Sequence, residues 1–229
     1  MTSESDLIPR IKSRGYRSVI VRPGRYKEDR FPMSQLPGIL SRTSVRLRGW
    51  DFPHLRPENE WDRYQGQLRQ SSDWRQFLEH WRFSTSGQFA YLGCIYEDWG
   101  SSQGPMQMRE YDPSTRPELQ YLSNLYRFME VFEFAARLAA VEGFGESITF
   151  RLNYRGIHGR TLSSDRLFLP NLSPSTDEWD WDKTMPVDGL VERRWRAALE
   201  PAESFFSLFG LDVTSGHLDS AAASLGLVD

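Results

Sequence analysis

The stretch Arg46-Leu-Arg-Gly-Trp-Asp-Phe-Pro-His-Leu55 sets two arginines, a tryptophan, an aspartate and a histidine around one glycine and one proline. Guanidinium forks hold carboxylates and phosphates, and an indole beside them stacks on a flat ligand. As a strand, residues 44–50 put Arg46, Arg48 and Trp50 on one face, with Gly49 permitting a bulge and Asp51 and Pro53 turning the chain. Arg46, Arg48, Trp50, Asp51 and His54 are therefore candidate binding residues for an acidic side chain or a base. The same stretch also reads as a structural turn, with Arg48 paired to Asp51 and Trp50 filling the rim of a sheet. Arg82 and Gln88, in Trp81-Arg-Phe-Ser-Thr-Ser-Gly-Gln-Phe89, carry the same two readings: facing a ligand, or holding a helix-to-strand turn.

Catalytic patterns fare worse. Gly100-Ser-Ser-Gln-Gly104 matches G-x-S-x-G, but Glu97, Asp98 and Trp99 part it from the preceding strand and Pro105 follows where a helix should begin. A Gly/Ser-rich loop accounts for it better. The four histidines, His54, His80, His158 and His217, stand more than twenty residues apart, so none forms a metal-ligand pair on a helix face. Glu178, Asp180 and Asp182 alternate, yet the sixth and twelfth places that a calcium loop gives to glycine and glutamate hold Lys183 and Gly189. No phosphate loop or dinucleotide fingerprint occurs, and Cys94 in an apolar strand reads as a buried thiol. No catalytic residue, metal or cofactor is expected.

The elements that must position the candidates follow from periodicity. Residues 18–23, 44–50, 87–96 and 147–155 read as strands, with shorter candidates at 63–70 and 165–171. In 147–155, Ile148, Phe150, Leu152 and Tyr154 face one way and Thr149, Arg151, Asn153 and Arg155 the other, a sheet with one wet face. A long helix runs over 117–141, opened by a Thr115/Glu118 capping box and stopped by Gly143 and Gly145. Its stripe is Leu122, Leu125, Met129, Phe132, Ala136 and Ala139, with Glu130, Glu133 and Arg137 on other faces. A second helix begins after Asp188 and continues through Pro201, hence kinked; short helices are expected at 71–81 and 215–226, and loops at 97–116 and 170–189. Early strands and late helices make one α+β domain over residues 1–229: a mixed, mainly antiparallel sheet covered by a long amphipathic helix and a C-terminal kinked helix.

Four segments in this order, Arg48-Gly-Trp-Asp-Phe-Pro53, Trp81–Phe89, Val131–Ala139 (VFEFAARLA) and Phe205-Phe-Ser-Leu-Phe-Gly210, resemble a family of small standalone bacterial proteins without an assigned chemistry. The resemblance implies one domain and a bacterial source. In that pattern glutamine is commoner where Thr85 stands here.

Composition narrows the function class. The net charge of −3 is uneven: residues 1–70 hold 14 Lys and Arg against 8 Asp and Glu, and nearly all the cations are arginine. A basic N-terminal third suits an acidic partner or nucleic acid, unless both signs mix on folding. No apolar run is long enough to span a bilayer and the first residues contain no secretory core, so a soluble, cytoplasmic protein is expected. The expectation is thus non-catalytic binding: an accessory or sensor component of a bacterial multi-gene system that recognises another protein, with no membrane partner. The alternatives are a nucleic-acid-binding module built on the basic third, and an enzyme whose site is assembled from distant residues.

Overall fold

Alternation builds the sheet. In Tyr16-Arg-Ser-Val-Ile-Val-Arg-Pro23 every second residue, from Arg17 to Pro23, is buried, the pattern of a strand with one face on a core. The computed structural model describes residues 4–74, 77–99, 118–164, 169 and 171–227. In chain order the elements are α1 (Glu4–Lys12), β1 (Tyr16–Pro23), α2 (Leu36–Thr43), β2 (Asp62–Tyr64), β3 (Gln67–Trp74), β4 (Phe77–Ser84), β5 (Phe89–Cys94), β6 (Leu119–Gln120), α3 (Tyr121–Ala139), β7 (Ser147–Arg155), β8 (Leu162–Ser163), β9 (Glu178–Pro186), α4 (Val187–Arg193), α5 (Leu199–Ser207) and α6 (Ser215–Ser224). A 3-10 turn over 194–198 links α4 to α5.

The chain is an α+β fold. Seven strands form one sheet in the order β2-β3-β4-β5-β1-β7-β9, antiparallel at every pairing, while β6 and β8 make a small parallel pair apart from it. The main sheet is therefore not mixed, as the sequence suggested, but wholly antiparallel. One face carries α3, whose Phe132 stacks on Phe150 of β7 with ring centroids 4.5 Å apart, and whose Phe128 meets Tyr154, Trp179 and Phe205. The opposite face carries α1, with Leu7 and Ile11 packed on Leu78 and Cys94. No helix among the described residues is long and apolar enough to cross a membrane.

Several sequence expectations need correction. Residues 44–50 are not a strand: only a single bridge from Val45 to Phe52 forms, and the segment between them is a loop. Side-chain pairing explains this, because Arg46 is tied back to Asp51 and Arg48 reaches across to Glu130, so the backbone closes on itself instead of pairing along a neighbour. The described residues of 71–81 are not a helix but the end of β3 and most of β4, paired antiparallel; Trp74, Leu78 and Trp81 mimic helical spacing, while the inward Ser72 and Glu79 hide the alternation. The single strand at 63–70 is the β2–β3 hairpin, turned at Gln65 and Gly66, which both have positive φ (45° and 72°).

The loop at 170–189 contains β9, in which Trp179 and Trp181 lie beside Tyr154 and Leu152 while Asp180 and Asp182 meet Asn153 and Arg151. The long helix shortens to α3, with Leu119 and Gln120 paired as β6, and its Glu130 and Glu133 are buried. The kinked C-terminal helix is α4, a 3-10 turn and α5; Pro201 sits in the first turn of α5, where its missing N–H costs no helical bond. The helix at 215–226 is α6. The serine motif at 100–104, Thr115 and most of the strand at 165–171 lie outside the described residues.

Candidate functional site

One row of side chains crosses the sheet on the α3 face. Successive pairings place Ser72 of β3, Glu79 of β4, Gly93 of β5, Arg17 of β1, Tyr154 of β7 and Trp179 of β9 side by side. Two of these are charged and buried in what is otherwise an apolar layer. Gly93 has no side chain, and the Tyr91 ring folds over it so that its hydroxyl donates to Glu79 Oε2 at 3.1 Å. Arg17 lies close enough to the same Tyr91 hydroxyl to act on it, which links Arg17, Tyr91 and Glu79 electrostatically along the sheet.

Above this row α3 presents Ser123, Arg127 and Glu130 at four- and three-residue spacing, one stripe of the helix. The loop 46–52 closes the third side. Together they bound a cleft of about 390 Å³ lined by Arg17, Arg48, Gly49, Asn124 and Arg127, with Trp50, Trp74, Phe77 and Tyr96 as an apolar wall. Trp50 is sandwiched between His54 (3.9 Å between centroids) and Phe77 (4.6 Å), so the wall offers ring edges.

The electrostatics of the cleft are unbalanced. Arg48 donates bidentately to Glu130, 2.8 Å to each oxygen, and Glu130 is fully buried. Arg127 Nη1 lies 3.0 Å from Glu130 Oε2 but without the alignment of a hydrogen bond, and it has no other acceptor. Arg17 is 7 % exposed; its Nε lacks a partner, and among the described residues no carboxylate pairs with it. Burial pushes the Glu79 carboxyl up to about 7, against the pull of Arg127, Trp50, Tyr91 and Arg17, and its Oε1 is also unpartnered. Glu97, raised by burial too, accepts the Gln120 N–H. A buried guanidinium costs several kcal/mol unless an anion meets it. Two unsatisfied donors, Arg17 Nε and Arg127 Nη1, on residues that line one cleft make it receptive to an anion.

The structure brings Arg48 and Trp50 into this cleft and stacks His54 behind Trp50, where burial lowers the imidazole pKa. Arg46 and Asp51 form an ion pair at the surface of the loop (2.8 Å). Arg82 and Gln88 are elsewhere: Arg82 points from β4 to the α1 side of the sheet, and Gln88 closes the β4–β5 hairpin through its carbonyl. Arg17, Glu79, Arg127 and Glu130 escaped sequence reading, although Arg17 shows one signal: it is in phase with the inward Val19 and Val21.

A second polar cluster lies under α1. Ser71 Oγ contacts His80 Nδ1 at 3.0 Å across the β3–β4 pair, and His80 Nε2 lies 3.4 Å from Glu4. Burial holds the His80 pKa down to about 4, so the ring is neutral at pH 7 and serves to seat α1. No group of three or more metal-ligating side chains gathers among the described residues. Compared with known proteins, the chain matches no family model, no curated protein and no solved structure.

Proposed function

We propose that this chain is a non-catalytic recognition protein that receives an anionic group of a protein partner in the Arg17–Arg48–Arg127 cleft. The observation that carries the reading is Arg17, a buried cation that lines the cleft, whose Nε is unsatisfied and which no carboxylate among the described residues pairs with. A fold that keeps such a group forgoes the stability of an apolar residue, and a ligand that neutralises it restores the balance. Among the described residues that line it the cleft pairs no nucleophile with a histidine or carboxylate base, so binding accounts for it better than turnover.

Nucleic-acid binding is less well supported, because several arginines of the basic third are engaged internally. Arg10 pairs with Asp73, Arg46 with Asp51, Arg63 with Glu58, and Arg69 with both Glu4 and Asp62. Each such pair withdraws a charge that would otherwise displace counterions from a phosphate backbone.

The test compares immobilised wild-type protein with Arg17→Met as bait in lysate of the native host. Partners retained by the wild type and lost on a variant of unchanged melting temperature support the reading. Retention by both, or by neither, overturns it.

A further inference from the structure

The charge and shape of the cleft narrow the anion, granted the recognition reading above. Three guanidinium groups line it, Arg17, Arg48 and Arg127. Against them stand Glu130, shared by Arg48 and Arg127, the buried Glu97 close enough to act on Arg17, and Glu79. Among the described residues the surplus is thus at most about one positive charge, which a monoanion neutralises and a phosphate dianion overshoots. The wall of Trp50, Trp74, Phe77 and Tyr96 gives the same answer from the other side, since a bare inorganic anion would leave that apolar surface wet. Ring edges carry partial positive charge, so they suit the face of a flat apolar group and tolerate a nearby anion.

We propose that the cleft binds a monocarboxylate carried on a large apolar group, with the carboxylate on Arg17 and Arg127 and the apolar body against the edges of Trp50, Phe77 and Tyr96. This chemistry occurs at a peptide chain end whose last residue is large and apolar, and in free arylalkanoic acids. A chain end reaches the buried Arg17 more readily than an internal Asp or Glu, because only one strand of backbone must enter a space of about 390 Å³.

Calorimetric titration of the full chain tests this with five probes: acetyl-Gly-Phe as the free acid and as the amide, indole-3-propionate and its amide, and inorganic phosphate. Both acids are expected to bind, with each amide about tenfold weaker or worse, and phosphate not to bind. Arg17→Met should abolish the preference for acids, and Arg17→Lys, which keeps the charge in case the apolar variant misfolds, should weaken it while retaining its sign. Binding of the peptide acid alone assigns the site to a chain end, and binding of indole-3-propionate alone to a small molecule. Equal binding of acids and amides, or no binding of either acid, overturns the inference. Arg17-dependent binding of phosphate alone, or Arg17-dependent capture of a protein partner with both acids silent, overturns it too but leaves the broader recognition reading intact.

Discussion

Arg17 and Glu79 occupy one row of the sheet with only the backbone of Gly93 between them. The missing side chain is what lets the Tyr91 ring lie across the row and join the two charges through its hydroxyl. A Cβ on Gly93 would fall 2.7 Å from both Cε1 and Cζ of that ring, inside any real carbon contact. Gly93→Ala should therefore push Tyr91 off Glu79 and cost about 1–3 kcal/mol as overpacking. Chemical denaturation measures it, and a variant as stable as the wild type would mean that the ring has another place to lie.

Glu79 also sets a pH dependence. Its pKa rises from 4.5 in an unperturbed carboxyl to about 7 in the fold, so between these values the folded state holds the proton that the unfolded chain has lost. Stability from this group is complete below about 4.5 and falls as pH rises to about 7, with a slope near 1.4 kcal/mol per pH unit. His80 acts with opposite sign: its pKa is lowered from 6.5 to about 4, so the unfolded chain takes up the extra proton and stability from His80 rises with pH over that interval. The two oppose each other between 4.5 and 6.5, where the lowered His54 acts with the sign of His80 and the raised Glu97 with that of Glu79, and the fall due to Glu79 continues from 6.5 to about 7. Glu79 faces Arg17 on β1, Arg127 on α3, Tyr91 on β5 and Trp50 on the loop, and of these only Glu79 itself titrates near neutrality. Melting curves of wild type and Glu79→Gln from pH 5 to 8 separate the contributions. In the variant, stability should climb to about pH 6.5 and then level off; a profile parallel to the wild type would place the Glu79 pKa at its ordinary value.

What the sequence disclosed, and what it hid, follows from how each signal arises. The β7 strand was plain in Ser147–Arg155 because its apolar and polar residues alternate without exception. The β3–β4 hairpin was not, because its inward residues include Gln70, Ser72 and Glu79, and an inward polar residue breaks the apolar alternation that marks a strand. The same substitution of polar for apolar side chains on the core face is what makes the cleft. Of the residues singled out in the sequence, Arg48 and Trp50 line the candidate cleft, in a turn that glycine and proline flag. It missed the sheet and helix half, since Arg17, Arg127 and Glu130 lie on faces where helical or strand periodicity predicts hydrophobic contact. Arg48 was expected to pair with Asp51, three positions away; it pairs with Glu130, 82 positions distant, a contact that no local pattern encodes.

At the far end of β1 from the helix layer's edge, Asp98 and Arg160 form an ion pair with no exposure of either side chain, 2.7 Å between Nη2 and Oδ2. Asp98 also accepts the Gly15 N–H and Arg160 donates to the Gly156 carbonyl, so the pair ties the start of β1 to the ends of β5 and β7. Asp98→Asn leaves a buried guanidinium without its counter-charge and should cost about 3–5 kcal/mol. Replacing both, as Asp98→Leu with Arg160→Met, should cost less than the single change, because no lone charge is left behind. Thermal melts of the two variants decide the matter; a double variant less stable than Asp98→Asn would show that the hydrogen bonds to Gly15 and Gly156 outweigh the charge pairing.

Arg48 and Trp50 combine support and recognition in one loop, and their variants should differ accordingly. Arg48 holds Glu130, which is buried completely, so Arg48→Ala strands part of a carboxylate that Arg127 meets with poor alignment. Its cost should be about 3 kcal/mol, and Arg48→Lys should recover less than half of that, since an ammonium cannot span both oxygens of Glu130 as the guanidinium does. Trp50 is half-buried between His54 and Phe77, so Trp50→Ala should cost about 2 kcal/mol, less than the roughly 3–5 of a fully buried aromatic. The indole N–H also donates to Glu79 at 3.4 Å, so its removal takes one stabilising donor from the ionised carboxyl and should move the Glu79 titration upward. Calorimetric melts of the three variants, with Trp50→Ala repeated across pH 5 to 8, check both effects. If Trp50→Ala lowers stability while the pH at which stability stops falling stays where it is in the wild type, the indole packs against the cleft without tuning its acid.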